Sequence, residues 1–144
     1  MRMPVLRSAV AALVGAGALA FATPSIAAMM TFKANLSANQ EVPPNASKGS
    51  GEVTVTYDDS SKKMSWKGNY KDLSGPATAA HFHGPAPSGK NAGVMIPITP
   101  DTSPLEGSAT LTDAQAKALM DGDMYVNVHT AANKGGEIRG QLKK

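Results

Sequence analysis

From Thr31 onward, apolar and polar side chains alternate in short runs, and clusters of Gly, Pro, Asn, Asp and Ser separate the runs. A period of two puts successive side chains on opposite faces of a strand and cannot make one face of a helix. The pattern predicts strands over Thr31–Ser37, Gly51–Tyr57, Lys63–Tyr70, Thr78–His83, Val94–Ile98, Gly107–Leu111, Met124–Thr130 and Glu137–Lys143. So many short strands, each with one apolar face, must pack against one another, so the fold class is all-β, a Greek-key β-sandwich or barrel. Trp66 alternates with Met64 and is read as core, with the buried parity of that strand left open. Asp58-Asp59-Ser60-Ser61 reads as the hairpin turn between the second and third strands. One short helix is expected near 113–121, because Thr112 and Gln115 form a capping box, Leu111 a staple, and Gly122 can close the end in the left-handed conformation. Ala116, Leu119 and Met120 are expected to face the sheet.

The residues ahead of this pattern are different. Arg2 and Arg7 flank an apolar run from Ala9 to Phe21, and Ser25-Ile26-Ala27-Ala28 offers small residues for cleavage, so 1–28 is read as a signal peptide and 29–144 as one domain. The run is about 13 residues, short of the roughly 20 that cross a bilayer, and no later segment is more apolar, so no transmembrane segment is expected in the mature protein. The expected location is periplasmic or secreted. With no cysteine in the chain, there is no disulfide, and any metal must be held by nitrogen and oxygen donors or methionine sulfur. Met29 and Met30 are read as residues beside the cleavage site.

Without Arg2 and Arg7 the basic residues fall from 14 to 12 against 11 acidic ones, so the formal charge of +3 drops to about +1. The lysines are scattered and not interleaved with aromatics, so no nucleic-acid partner is expected. Asn35-Leu36-Ser37 and Asn45-Ala46-Ser47 fit a glycosylation sequon, which matters only in a glycosylating host.

The chain has 3 histidines, all in two islands, Ala80-His81-Phe82-His83-Gly84 and Tyr125-Val126-Asn127-Val128-His129-Thr130. If Phe82 points inward, His81 and His83 point outward together, with Cα atoms roughly 6.6 Å apart. With Val126 and Val128 buried, Tyr125, Asn127 and His129 share the opposite, solvent-facing parity. The last two strands can be put in register: Val128 opposite Ile138, Val126 opposite Gly140 and Met124 opposite Leu142 on the apolar face, with Asn127 opposite Arg139 and Tyr125 opposite Gln141 on the polar one. The same register sets His129 opposite Glu137, whose carboxylate would orient the imidazole or serve as a ligand.

The sharper reading is therefore a metal site of His81, His83 and His129, with Glu137 and Glu41 as further candidate ligands, for a copper or zinc ion. The plainer alternative is that His81 and His83 bond the following Pro/Gly loop, Gly84–Gly93, while His129 makes an ordinary cross-strand pair. No nucleophile elbow is present, and Asp58, Asp59, Asp121 and Asp123 sit in turns and at a helix end, where no apolar pocket raises a carboxyl pKa.

Three stretches together resemble the chordin-type (CHRD) domain family. They are Ala34 to Pro44, containing Gln-Glu-Val-Pro-Pro, Leu73 to Pro87, containing Ala-His-Phe-His-Gly-Pro-Ala, and Tyr125 to Leu142, containing Asn-Val-His-Thr and Gly-Glu-Ile-Arg-Gly-Gln-Leu. The family occurs as repeats in chordin, an extracellular antagonist of bone morphogenetic proteins, and as single exported domains in bacteria, and a lone domain behind a signal peptide resembles the second kind. The growth-factor role is not carried over. The resemblance implies an immunoglobulin-like barrel, places the family's histidine-bearing motifs on His81, His83 and His129, and puts Gly-Glu-Ile-Arg-Gly on Gly136 to Gly140. The architecture is also similar to that of copper-zinc superoxide dismutase, at the level of fold only.

Three functions stay open from the sequence. The first is an exported CHRD domain that binds a transition metal, copper favoured, and serves periplasmic metal handling or redox defence. The second is a metal-free module that binds a protein partner, a surface polymer or a second copy of itself. The third is a copper-dependent oxidoreductase acting on superoxide or another small oxidant.

Overall fold

The computed structural model describes residues 27–144, so most of the expected signal peptide, 1–28, lies outside the described residues. The strands are β1 (Met29–Ser37), β2 (Ser50–Asp58), β3 (Lys63–Lys71), β4 (Ala77–His83), β5 (Val94–Pro97), β6 (Leu105–Thr110), β7 (Tyr125–Thr130) and β8 (Ile138–Gln141). All pairings are antiparallel, and the order across the sheet is β5-β4-β7-β8-β1-β2-β3-β6. The sheet curls into a nearly closed barrel or sandwich whose two free edges are β5 and β6. Three connections join strands that are not sheet neighbours, β3 to β4, β5 to β6 and β6 to β7, and these crossings give the Greek-key character.

The alternation explains the packing. Phe32, Ala34 and Leu36 on β1, Val53, Val55 and Tyr57 on β2, and Met64 and Trp66 on β3 are buried, and the residues between them face outward. Trp66 meets Phe82 of β4 edge to face, with ring centroids 5.1 Å apart, which ties the two halves of the barrel together. The hairpin turn after β2 forms as its residues demand: Asp58 Oδ1 accepts from the Ser60 amide and hydroxyl at 2.9 and 2.7 Å.

Helix α1 (Asp113–Asp121) starts with the full capping box of Thr112 and Gln115 and ends at Gly122, φ 78°. That left-handed turn lets the Gly122 and Asp123 amides return to Leu119 and Ala118 carbonyls. Ala118 and Leu119 are the buried residues of α1, whereas Met120, expected to face the sheet, is exposed. A helix this short has room for one narrow apolar contact, and Met120 turns past its edge. Among the described residues no helix is long and apolar enough to cross a membrane.

The β7–β8 register is the expected one: Tyr125 pairs with Gln141, Val126 with Gly140, Asn127 with Arg139 and Val128 with Ile138. The sequence could not show that β4 lies on the other side of β7. There Ala79 faces His129, Ala80 faces Val128, His81 faces Asn127, Phe82 faces Val126 and His83 faces Tyr125. That pairing brings the two histidine islands together.

Candidate metal centre

On the outer face of β4, β7 and β8 the side chains form a grid of Ala79, His81 and His83, then His129, Asn127 and Tyr125, then Arg139 and Gln141. Ala79 is the residue opposite His129, and its methyl group leaves room for the imidazole to lean diagonally toward His81. His81 Nδ1 and His129 Nε2 stand 3.1 Å apart. One ring nitrogen from each of His81, His83 and His129 lies within 4.8 Å of the others.

Backbone carbonyls fix two of the rings. His129 Nδ1–H donates to the Lys134 carbonyl at 2.8 Å, and His83 Nδ1–H donates to the Ala92 carbonyl at 3.0 Å. A proton held on Nδ1 leaves the Nε2 lone pair free, the tautomer a metal requires, and an outer carbonyl is a usual partner for a ligating imidazole. Nε2 of His83 is buried and has no hydrogen-bond partner. Burial lowers the pKa of both His81 and His83 below the ordinary histidine value, and for His81 the neighbouring His129 and His83 push in the same direction. His81 and His83 are therefore held neutral, as ligands must be.

The polar face is not the solvent-facing surface that alternation predicts. His83, Tyr125, Asn127, Arg139 and Gln141 are all buried. The Pro/Gly loop after His83 folds back over them. Arg139 donates to Asn91 Oδ1 at 3.1 Å and to the Lys90 carbonyl at 2.7 Å, and Ala92 donates its amide to the Tyr125 hydroxyl at 3.0 Å. Gln141 Nε2 reaches the carbonyls of Ala86 and Gly122 at 2.9 and 2.8 Å. The loop's carbonyls thus find their donors on the strands below, which is why a polar face tolerates burial.

The two carboxylates do not join the histidines. Glu137 precedes the first ladder pair of β8, and Gly136, φ 129°, turns the chain just before it. Its carboxylate consequently accepts from Ser47 Oγ at 2.6 Å, the Ser74 amide at 2.9 Å and Ser74 Oγ at 3.1 Å, rather than from His129. Burial alone would raise its pKa, but those hydrogen bonds, with Thr130, outweigh burial and hold it below the ordinary glutamate value. The carbonyl of Lys134 fills the orienting role that sequence reasoning gave to Glu137.

Glu41 is buried beside Asn127, Gly136 and Arg139. Burial raises its pKa from 4.5 to about 7, against the pull of Arg139 and Asn127, and its Oε1 has no partner. Among the described residues the group that could hold a metal is His81, His83 and His129, without either glutamate. Arg139 and Tyr125 were legible as members of the polar face of the register, opposite Asn127 and Gln141, but nothing in the sequence marked Ala92 or Lys134, which act through backbone carbonyls.

The CHRD domain family model matches residues 32–142. The chain belongs to the CHRD domain family, and the match spans all eight strands apart from the first residues of β1. No curated protein and no solved structure matches it.

Proposed function

We propose that this CHRD domain is an exported metal-binding protein that holds one transition-metal ion, copper in preference to zinc, on His81, His83 and His129, and serves metal handling or redox defence in the periplasm. The observation that carries this reading is the 3.1 Å separation of His81 Nδ1 and His129 Nε2. Two nitrogens each about 2.0–2.1 Å from one tetrahedral ion lie about 3.3 Å apart, so a metal fits where the two rings now share a proton. The unpartnered Nε2 of His83 supports the reading further, since a buried polar atom ordinarily has a partner. Drawing the third ring in from at most 4.8 Å asks only for a small side-chain rotation. An all-imidazole set suits copper and zinc, and copper binds such sites more tightly.

The test is metal analysis of untagged protein, wild type beside His81→Ala and His129→Ala. One equivalent of copper or zinc on the wild type and none on either variant is expected. A wild type that takes up no metal would overturn the proposal.

A further inference from the structure

We propose that the metal ion at this centre takes a small inorganic anion as its remaining ligand, admitted through the groove in which His81 and His129 meet Lys134. The inference rests on the metal-binding reading above and specifies what the site would accept from outside. All three protein ligands are neutral imidazoles, so a divalent ion on them keeps its whole charge. Glu41 and Glu137, the carboxylates near enough in sequence motif to neutralise it, are turned elsewhere, the first to Asn127 and Arg139, the second to Ser47 and Ser74. A cation taken partly out of water without a counter-charge is costly, and the missing charge must come from a ligand.

Access decides where that ligand arrives. His83 is shut in by the loop and by Tyr125, whereas His81 and His129 stay partly open. Two grooves reach His81. One, of about 430 Å³, is walled by Thr78, Ala79, His81, His129, Thr130, Ala131 and Lys134, and thus has two of the three ligands and a lysine but no acidic residue. The other, of about 370 Å³, has His81 alone among the ligands and includes Asp101. An anion is drawn to the first and repelled from the second. Beside the histidines the groove has one lysine and otherwise small Ala and Thr side chains, with no second cation to hold the far end of a larger acid, which points to an ion of a few atoms.

The experiment uses the full mature protein loaded with Cu(II), with loading verified for every sample by metal analysis, and azide as the probe. Azide is titrated while the charge-transfer absorption and the copper electron paramagnetic resonance spectrum are recorded. In the wild type a new charge-transfer band and a shifted copper signal are expected, saturating with one azide per copper. Lys134→Glu should weaken azide binding by roughly three- to tenfold at low ionic strength, with the loss shrinking in high salt. Lys117→Glu, on the exposed face of α1, should leave it unchanged. Full copper loading with a spectrum that azide does not alter overturns the anion position and leaves the metal site standing. So does azide binding that Lys134→Glu and Lys117→Glu affect equally, since that would make Lys134 no part of the entry. Failure of the wild type to take up copper overturns the metal reading, and this inference with it.

Discussion

The ring of Tyr125 lies flat against the imidazole of His83, with centroids 5.0 Å apart and planes 4° from parallel. The pairing of β4 with β7 sets the two residues directly opposite, so the stack spans one interstrand spacing. The Tyr125 hydroxyl donates to the Ala92 carbonyl at 3.2 Å, the same oxygen that takes the His83 Nδ1 proton. Tyr125 therefore orients His83 twice, by its ring face and through a shared acceptor. Tyr125→Leu keeps an apolar group in place but removes both constraints. Copper affinity should fall about tenfold, within the range for loss of a group that orients a ligand, as measured by competition with a chelator. Hydrogen exchange of the Ala92 amide, which donates to that hydroxyl, should accelerate in the same variant.

On its β8 side Tyr125 carries Arg139, whose guanidinium carbon is 3.5 Å from the ring centre. Arg139 is 1% exposed and bonds two loop groups, Asn91 Oδ1 and the Lys90 carbonyl. Arg139→Met preserves most of the volume but leaves both acceptors without a donor and ends the cation–π contact. The loss should be about 2–4 kcal/mol in urea unfolding, larger than any surface lysine substitution gives. Exchange should quicken over residues 84–93 while the amides of β2 and β3 stay protected.

Glu137 is fully buried and serves the barrel's end rather than the histidines. Glu137→Ala abandons hydrogen bonds from Ser47 and from both the amide and hydroxyl of Ser74. Bonds to a charged acceptor are worth more than neutral ones, so about 3 kcal/mol of stability should be lost. Copper stoichiometry of the protein that still folds should stay at the wild-type value. A loss of copper without a loss of stability would return Glu137 to the ligand set. The pH sense follows from the lowered pKa: the contribution is present above the ordinary value of 4.5 and disappears as pH falls through the folded one.

Alternation gave away the strands, the core parity and the β7–β8 register, because each depends on neighbours close along the chain. The capping box of Thr112 with Gln115 and the turn at Gly122 were legible for the same reason. Two features were not. Alternation tells which face His83 and Tyr125 occupy but not what covers that face, and here the cover is a loop held by Arg139 and Tyr125. Register extended past its last true pair also misleads: the row from Tyr125 to Gln141 ends at Val128 with Ile138, and Gly136 swings Glu137 out of line with His129. The adjacency of β4 and β7, on which the three-histidine cluster depends, is a matter of topology and leaves no local mark.

The metal-free protein should show two opposed pH dependences, and Glu41→Gln separates them. Glu41 has a folded pKa of about 7 against 4.5 when unfolded, so between these values the folded state binds more protons and stability falls as pH rises. That difference corresponds to about 3 kcal/mol, fully present below pH 4.5 and gone above pH 7. His81 and His83 have folded pKa values below 6.5, so the unfolded state binds more protons, and stability falls as pH drops below 6.5. Below pH 6.5 the two effects oppose each other, so the wild-type stability profile should be shallower there than that of a variant without the Glu41 carboxylate. Glu41→Gln removes the first effect and keeps the side chain's shape. Its urea-unfolding stability should then rise as pH climbs toward 6.5, and at pH 8 it should equal or exceed the wild type, because no carboxylate has to be ionised in a buried place. A variant that stays parallel to the wild type across this range would show that Glu41 ionises in the folded protein as readily as in the unfolded chain.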